Sequence, residues 1–218
     1  GPHALLSRLQ DKEYRDRTRG TSSGILGNID GMVISSVASA DNKWCEGLTV
    51  GDVARQLGRD PWDTICDLLV QEELAVAFYT FGGDMNDVKV IITHPAHMFC
   101  SDALRIGGMP NPRSYATYPK VLGQLVRDER IMPLQQAVRK MTSFPAQRFG
   151  IRDRGLVRDG MKADLVVFDP LTVSGVATYA KPKQFPLGIE YVFVNGQLVI
   201  AHREHTGALP GMAVRGIA

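Results

Sequence analysis

Met98-Phe-Cys-Ser-Asp-Ala-Leu104 is the stretch on which the reading of this chain turns. Met98, Phe99 and Cys100 predict a short buried strand that ends in a hydroxyl, Ser101, and a carboxylate, Asp102. Gly107, Gly108, Pro110, Asn111 and Pro112 follow and mark a loop. A carboxylate where a buried strand opens into a loop is where parallel α/β proteins place reactive groups. An Asp that only caps a turn gives the same local pattern.

Working back from Met98, Asp84 opens a helix in which Met85, Val88 and Ile92 share a face, and His94-Pro95 stops it, since the residue before proline avoids helical angles. Ala75–Phe81 predicts a strand broken by Gly82-Gly83. Before it, Asp60 with Pro61 opens a helix that carries Trp62, Ile65, Cys66 and Leu69 on one face. Thr49 and Asp52 form a capping-box pattern, and Gly31–Ser36 predicts a buried strand. Thr21–Gly27 is a small-residue break, and residues 5–19 predict one surface helix. Strands alternating with helices from Met32 to Asp102 argue for a parallel sheet with crossover helices.

Working forward, Tyr118–Asp128 holds Val121, Leu122, Leu125 and Val126 at helical spacing. Pro133 starts a further helix with Leu134, Ala137, Val138 and Met141 on one face. Near Gly150 the pattern changes to β. Ala163–Asp169 predicts a strand, and Ile189–Val194 and Gln197–Ala201 predict a hairpin about Asn195-Gly196, which suits a type I′ turn. The domain expectation is therefore 1–150 for the α/β part and 151–218 for the β tail. Three parallel strands do not close a barrel, and both outer strands would expose unpaired backbone. The α/β part is expected to be the last portion of something larger, completed by another chain or by residues removed upstream.

The totals exclude several classes. The chain has 218 residues, 44% of them hydrophobic, and a formal net charge of +2. That charge is too small to argue for nucleic acid or an anionic membrane as partner. No apolar run reaches the roughly 18 residues of a spanning helix. Arg8, Asp11, Lys12 and Glu13 interrupt any signal-peptide core. Cys45, Cys66 and Cys100 are odd in number and widely spaced, which fits a reduced, cytoplasmic protein.

HPAHMFCSDAL (94–104), NPRSYATYPKVLGQLVRDERIMPLQQAVRKMTSFPAQRFGI (111–151) and DRGLVRDGMKADLVVFDP (153–170) resemble the C-terminal half of an amidohydrolase-superfamily enzyme. The resemblance is to the N-acyl-D-amino-acid deacylase (D-aminoacylase) family, and the tail from Gly188 is similar to the way those chains end. It implies the last strands and helices of a metal-dependent TIM-type (β/α)8 barrel plus part of a small β-sandwich. Residues 32–36, 75–81 and 98–102 would be the last three barrel strands, and 156–201 would supply sandwich strands. It implies hydrolysis of the amide C–N bond of N-acyl-D-amino acids, with a divalent metal, zinc being the expected ion. Asp102 becomes the catalytic residue, passing a proton from a metal-bound water to the departing amine, and is also a candidate metal ligand. Arg113, whose guanidinium can grip a carboxylate through two parallel hydrogen bonds, becomes the substrate-binding residue, with Ser101 and Tyr115 beside it.

The chain departs from that pattern. The family's H-x-H motif and its later metal ligands are absent, and the five histidines are His3, His94, His97, His202 and His205. His94 reads as a helix-end residue, His202 and His205 as solvent-facing, and Cys100 as a small buried hydrophobe. The metal ligands are thus expected from a partner chain or segment bearing the N-terminal half of the barrel. Ala103 stands where the family commonly has Gly, Asn111 where it has His, and Ala116-Thr117-Tyr118 where it has Gly-Thr-Phe. These departures bear on substrate identity more than on reaction type. A cyclic amide or other C–N substrate, and a non-catalytic structural subunit, are the competing expectations.

Overall fold

A computed structural model describes residues 1–21 and 27–215. The expected break at Thr21–Gly27 falls largely outside the described residues. Contacts divide the chain into two compact units. The first comprises Gly1–Gly83, Ala103–Ser114 and Tyr179–Lys183; the second comprises Asp84–Asp102, Tyr115–Thr178 and Gln184–Ala218.

The first unit begins with two helices, α1 (Pro2–Gln10) and α2 (Lys12–Thr18), instead of the single expected helix. Asp11 causes the break: it adopts extended angles, and its carboxylate accepts the Glu13 N–H as an N-cap. Strand β1 (Val33–Ser36) is buried throughout, and Ile34 has 0% of its surface exposed. Helix α3 (Val50–Leu57) has the full capping box between Thr49 and Asp52, and Gly58 ends it in the left-handed region at φ 62°. Helix α4 (Pro61–Gln71) is capped by Asp60, and its Ile65 and Cys66 enter the core beside Ile34, Val50 and Val53. Strand β2 is shorter than expected, Ala77–Tyr79.

Strands β1 and β2 pair antiparallel, Val33 opposite Tyr79 and Ile34 opposite Phe78. This corrects the expected parallel sheet. Alternation of strand and helix fixes direction only where further strands extend the sheet. A two-stranded ladder has no such constraint, and the antiparallel arrangement is slightly more stable per residue.

Glu72, at the end of α4, is 3% exposed and ties that helix to the turn after β1. Its carboxylate accepts the N–H groups of Ala38 and Ser39 at 2.6 and 2.7 Å, the Asn42 side-chain amide at 2.6 Å, and the Ser39 hydroxyl. Burial alone would raise this carboxyl. The Ser39, Asn42 and backbone hydrogen bonds outweigh it and hold the pKa down to about 2.

In the second unit, Asp84 caps helix α5 (Met85–Thr93), and His94 terminates it as expected. Helix α6 (Arg113–Lys120) runs into a wider π-helical stretch, Val121–Asp128, and α7 (Leu134–Met141) and α8 (Ser143–Arg148) follow. Their apolar faces, with Val121, Leu122, Leu125, Val126 and Ala137, meet Ile92, Phe99 and Val173 in one core. An antiparallel meander completes the unit: β3 (Leu165–Phe168), β4 (Ile189–Val194), β5 (Gln197–Ala201) and β6 (Glu204–His205). Asn195 and Gly196 have φ of 47° and 78°, as a type I′ turn requires.

Gly123 sits where the helical stretch crosses the chain at Val173. A Cβ there would lie 2.4 Å from the Val173 carbonyl oxygen. In an open helix Gly→Ala stabilises by about 1 kcal/mol. Here Gly123→Ala is expected to destabilise by about 1–3 kcal/mol, as overpacking does, and the urea midpoint reads the sign directly.

Candidate active-site segments

Residues 98–102 do not form the expected strand. Phe99 is buried and donates its N–H to the Lys140 carbonyl at 3.1 Å, but among the described residues no strand runs alongside to build a ladder. Cys100 is exposed, which corrects its reading as a buried hydrophobe. An extended segment without a paired neighbour cannot bury both of its faces.

Asp102 is exposed and has φ 42°. Non-glycine residues are uncommon in this left-handed region, although Asp and Asn tolerate it best, and such residues gather at functional sites. Ser101 is half-buried and lies against the Tyr118 hydroxyl. Burial pushes the Tyr118 phenol up, the Cys100 thiol adds to the rise, and hydrogen bonds with Ser101 oppose it. Tyr115 is half-buried, and its ring meets Phe185 edge to face.

Arg113 belongs to the first unit, at the start of α6. The Asn111 side chain accepts the Arg113 N–H at 3.0 Å, and Ser114 Oγ donates to the Leu104 carbonyl at 2.9 Å. Arg113 lines a cavity of about 100 Å³ with Phe78, Tyr79, Leu104, Ile106 and Asn111. Apolar walls with one guanidinium suit a small group carrying a negative charge. A larger cavity in the second unit, about 590 Å³ and lined by Leu122, Val126, Met132 and Leu171, contains none of the expected site residues.

Glu46 is a supporting residue that sequence reasoning missed. Its carboxylate accepts the N–H groups of Gly108 at 2.9 Å and Val37 at 3.0 Å, and pairs with Lys43 at 2.8 Å. Burial pushes this carboxyl up, but Lys43 and the N–H groups prevail and its pKa falls below the usual value. Glu46 thereby fastens the loop that leads to Arg113 onto the end of β1. Gly107 makes that approach possible: at φ 80°, a Cβ would meet the Ser35 carbonyl oxygen at 2.5 Å. Glu46 carried no sequence signal for this role, because the two backbone N–H groups it accepts lie 9 and 62 residues away.

Among the described residues, no three His, Cys, Asp or Glu side chains come together as a metal site. His94, His202 and His205 are exposed, and His94 Nδ1 accepts the Ala96 N–H in a local turn. His97 Nδ1 is buried and has no hydrogen-bond partner among the described residues, and its ring lies edge to face with Phe99.

The model of the amidohydrolase family matches residues 30–200. The chain belongs to that family. It is 39% identical over 157 residues to N-acyl-D-aspartate deacylase of Alcaligenes xylosoxydans xylosoxydans, covering 69% of this chain and 31% of the relative. It is 38% identical over 174 residues to the D-aminoacylase of the same organism, covering 77% and 35%. Among solved structures it is similar to N-acyl-D-glutamate deacylase from Bordetella bronchiseptica complexed with zinc and a phosphonate inhibitor. That likeness has a TM-score of 0.71 and 34% identity over 81% of this chain and 38% of that one. This amidohydrolase-family chain thus spans about a third of the length of the curated relatives it matches.

Proposed function

We propose that this chain forms the last part of a metal-dependent amidohydrolase that removes the acyl group from N-acyl-D-amino acids. The observation that carries the reading is Asp102, exposed and at a positive φ within a segment that lies in the family match. The shared chemistry in the names of the relatives, D-aspartate, D-glutamate and D-amino-acid deacylation, supports the substrate class. The structural likeness supports assigning the α/β part of the chain to the last portion of a (β/α)8 barrel and the meander to a β-sandwich.

In this reading a water adds to the acyl carbon, the C–O bond forms, and the C–N bond breaks. Asp102 takes the water's proton and delivers it to the amine nitrogen, so the amine leaves neutral and the carboxylate is restored. Arg113 grips the free carboxylate of the substrate, and Ser101 and Tyr115 line its path. A metal, with zinc the expected ion, polarises the carbonyl and lowers the pKa of the water in such enzymes. The metal's other ligands are assigned to a partner chain or segment bearing the N-terminal half of the barrel, with Asp102 the candidate ligand in this chain. Two unpaired buried thiols, Cys45 and Cys66, each raised to about 11 by burial, accord with a reducing, cytoplasmic setting.

A substrate panel tests the reading. On the complete enzyme, Arg113→Met should raise KM for an N-acyl-D-amino acid by about 10–100-fold, the cost of a lost charge-assisted pair. It should leave a neutral cyclic amide unaffected. Equal turnover of cyclic amides by both proteins, with no N-acyl-D-amino acid cleaved, would replace this substrate class with the cyclic one. Failure of the complete protein to bind any divalent metal would favour a structural subunit.

A further inference from the structure

Lys140 is 1% exposed, the largest side chain among those almost wholly buried, and no reaction step uses it. It lies near the end of α7, one turn after the fully buried Ala137. Its ammonium donates to the Ile92 carbonyl at 2.8 Å and to the His94 carbonyl, both at the end of α5. A helix leaves its last carbonyls without partners of its own, at the negative end of its dipole, and the His94 carbonyl also accepts the His97 N–H at 3.0 Å. The backbone carbonyl of Lys140 accepts the Phe99 N–H. Among the described residues no carboxylate pairs with the ammonium, and the charged or titratable neighbours are Arg139 and His97. Burial, and secondarily Arg139, pushes the lysine pKa down, so the charge is held at a cost. A methionine of similar length would fill the space without that cost. What the ammonium adds is direction: it pins Ile92 and His94, while the same residue's backbone pins Phe99, three residues before Asp102.

We propose that Lys140 is a positioning residue for Asp102, clamping the segment that leads to it at two points, the end of α5 and Phe99. The inference rests on the role assigned to Asp102 above.

Two measurements test it. On the complete metal-loaded enzyme, Lys140→Met should lower kcat per folded molecule by about 10–100-fold with KM almost unchanged, since misplacement of a reacting group by ~1 Å has that scale. In the Asp102→Asn background the same change should cost nothing further, and Lys140→Gln, which keeps an amide donor, should recover part of the loss. An unchanged kcat, or an equal loss in the Asp102→Asn background, would overturn the proposal. In the complete wild-type enzyme, the Phe99 amide should exchange with deuterium at least about tenfold more slowly than those of Met98 and Cys100. Equal rates at the three positions would overturn it even if Lys140→Met does not fold. Should Asp102→Asn keep full turnover, the catalytic reading fails, while the exchange rates still decide whether the clamp exists.

Discussion

Asp102→Asn, in the complete metal-loaded enzyme, should lower kcat by about 10²–10⁴-fold, the usual contribution of a positioned acid–base group. The thermal midpoint should stay within a degree or so, because replacing an exposed side chain by its isostere changes stability little. Asn is the informative replacement. It has the same shape, and like Asp it tolerates the left-handed region in which residue 102 sits at φ 42°. Alanine at that angle would add backbone strain to the loss of the carboxylate and blur the result. The amide cannot take a proton from water, so chemistry fails while the backbone path of residues 98–104 stays the same. Retention of full turnover by the variant would remove Asp102 from proton transfer.

Glu72→Ala is expected to lower folding stability by about 2–3 kcal/mol, because buried donors lose their acceptor and water replaces it poorly. The donors are the Ala38 and Ser39 N–H groups, the Ser39 hydroxyl and the Asn42 amide. The pH dependence carries its own sign. The folded-state carboxyl, at about 2, lies below the ordinary value of 4.5. Its contribution is therefore complete above about pH 4.5 and is lost as pH falls toward 2. Urea midpoints of wild type and variant should differ most near neutrality and converge on acidification. A gap that is constant between pH 6 and pH 3 would mean that the lost stability is not electrostatic.

Much of the local structure was legible because it is written over three or four residues. Thr49 and Asp52 specify the capping box, Asp60-Pro61 a helix start, and Asn195-Gly196 a turn. Each appears where its side-chain chemistry requires. The β5–β6 turn was missed, since His202 and Arg203 take positive φ without being Asn or Gly. It exists because Ala201 and Glu204 pair across it, a constraint of the sheet and not of the turn residues. The π-helical stretch after Pro119 was not legible either. Its buried residues fit helical spacing of either pitch, and the sequence alone does not separate the two.

The candidate site divides in the same way. Asp102 and Arg113 can be named from the residues around them, as can the family resemblance. The residues that hold them cannot. Glu46 reaches Gly108 across 62 residues, and Lys140 reaches Ile92 across 48. A buried carboxylate and a buried ammonium read in sequence as ordinary surface charges, because charge type is local while burial depends on which segments meet. Strand direction is of the same kind: the order strand, helix, strand leaves it open until neighbours are present to fix it. The sequence by itself thus determined where helices and turns begin and which family the chain resembles. The tertiary structure alone decided how β1 and β2 pair, that residues 98–102 form no ladder, and which distant charges hold the segments bearing Asp102 and Arg113. Backbone hydrogen bonds and desolvation are set by partners that chain order does not specify.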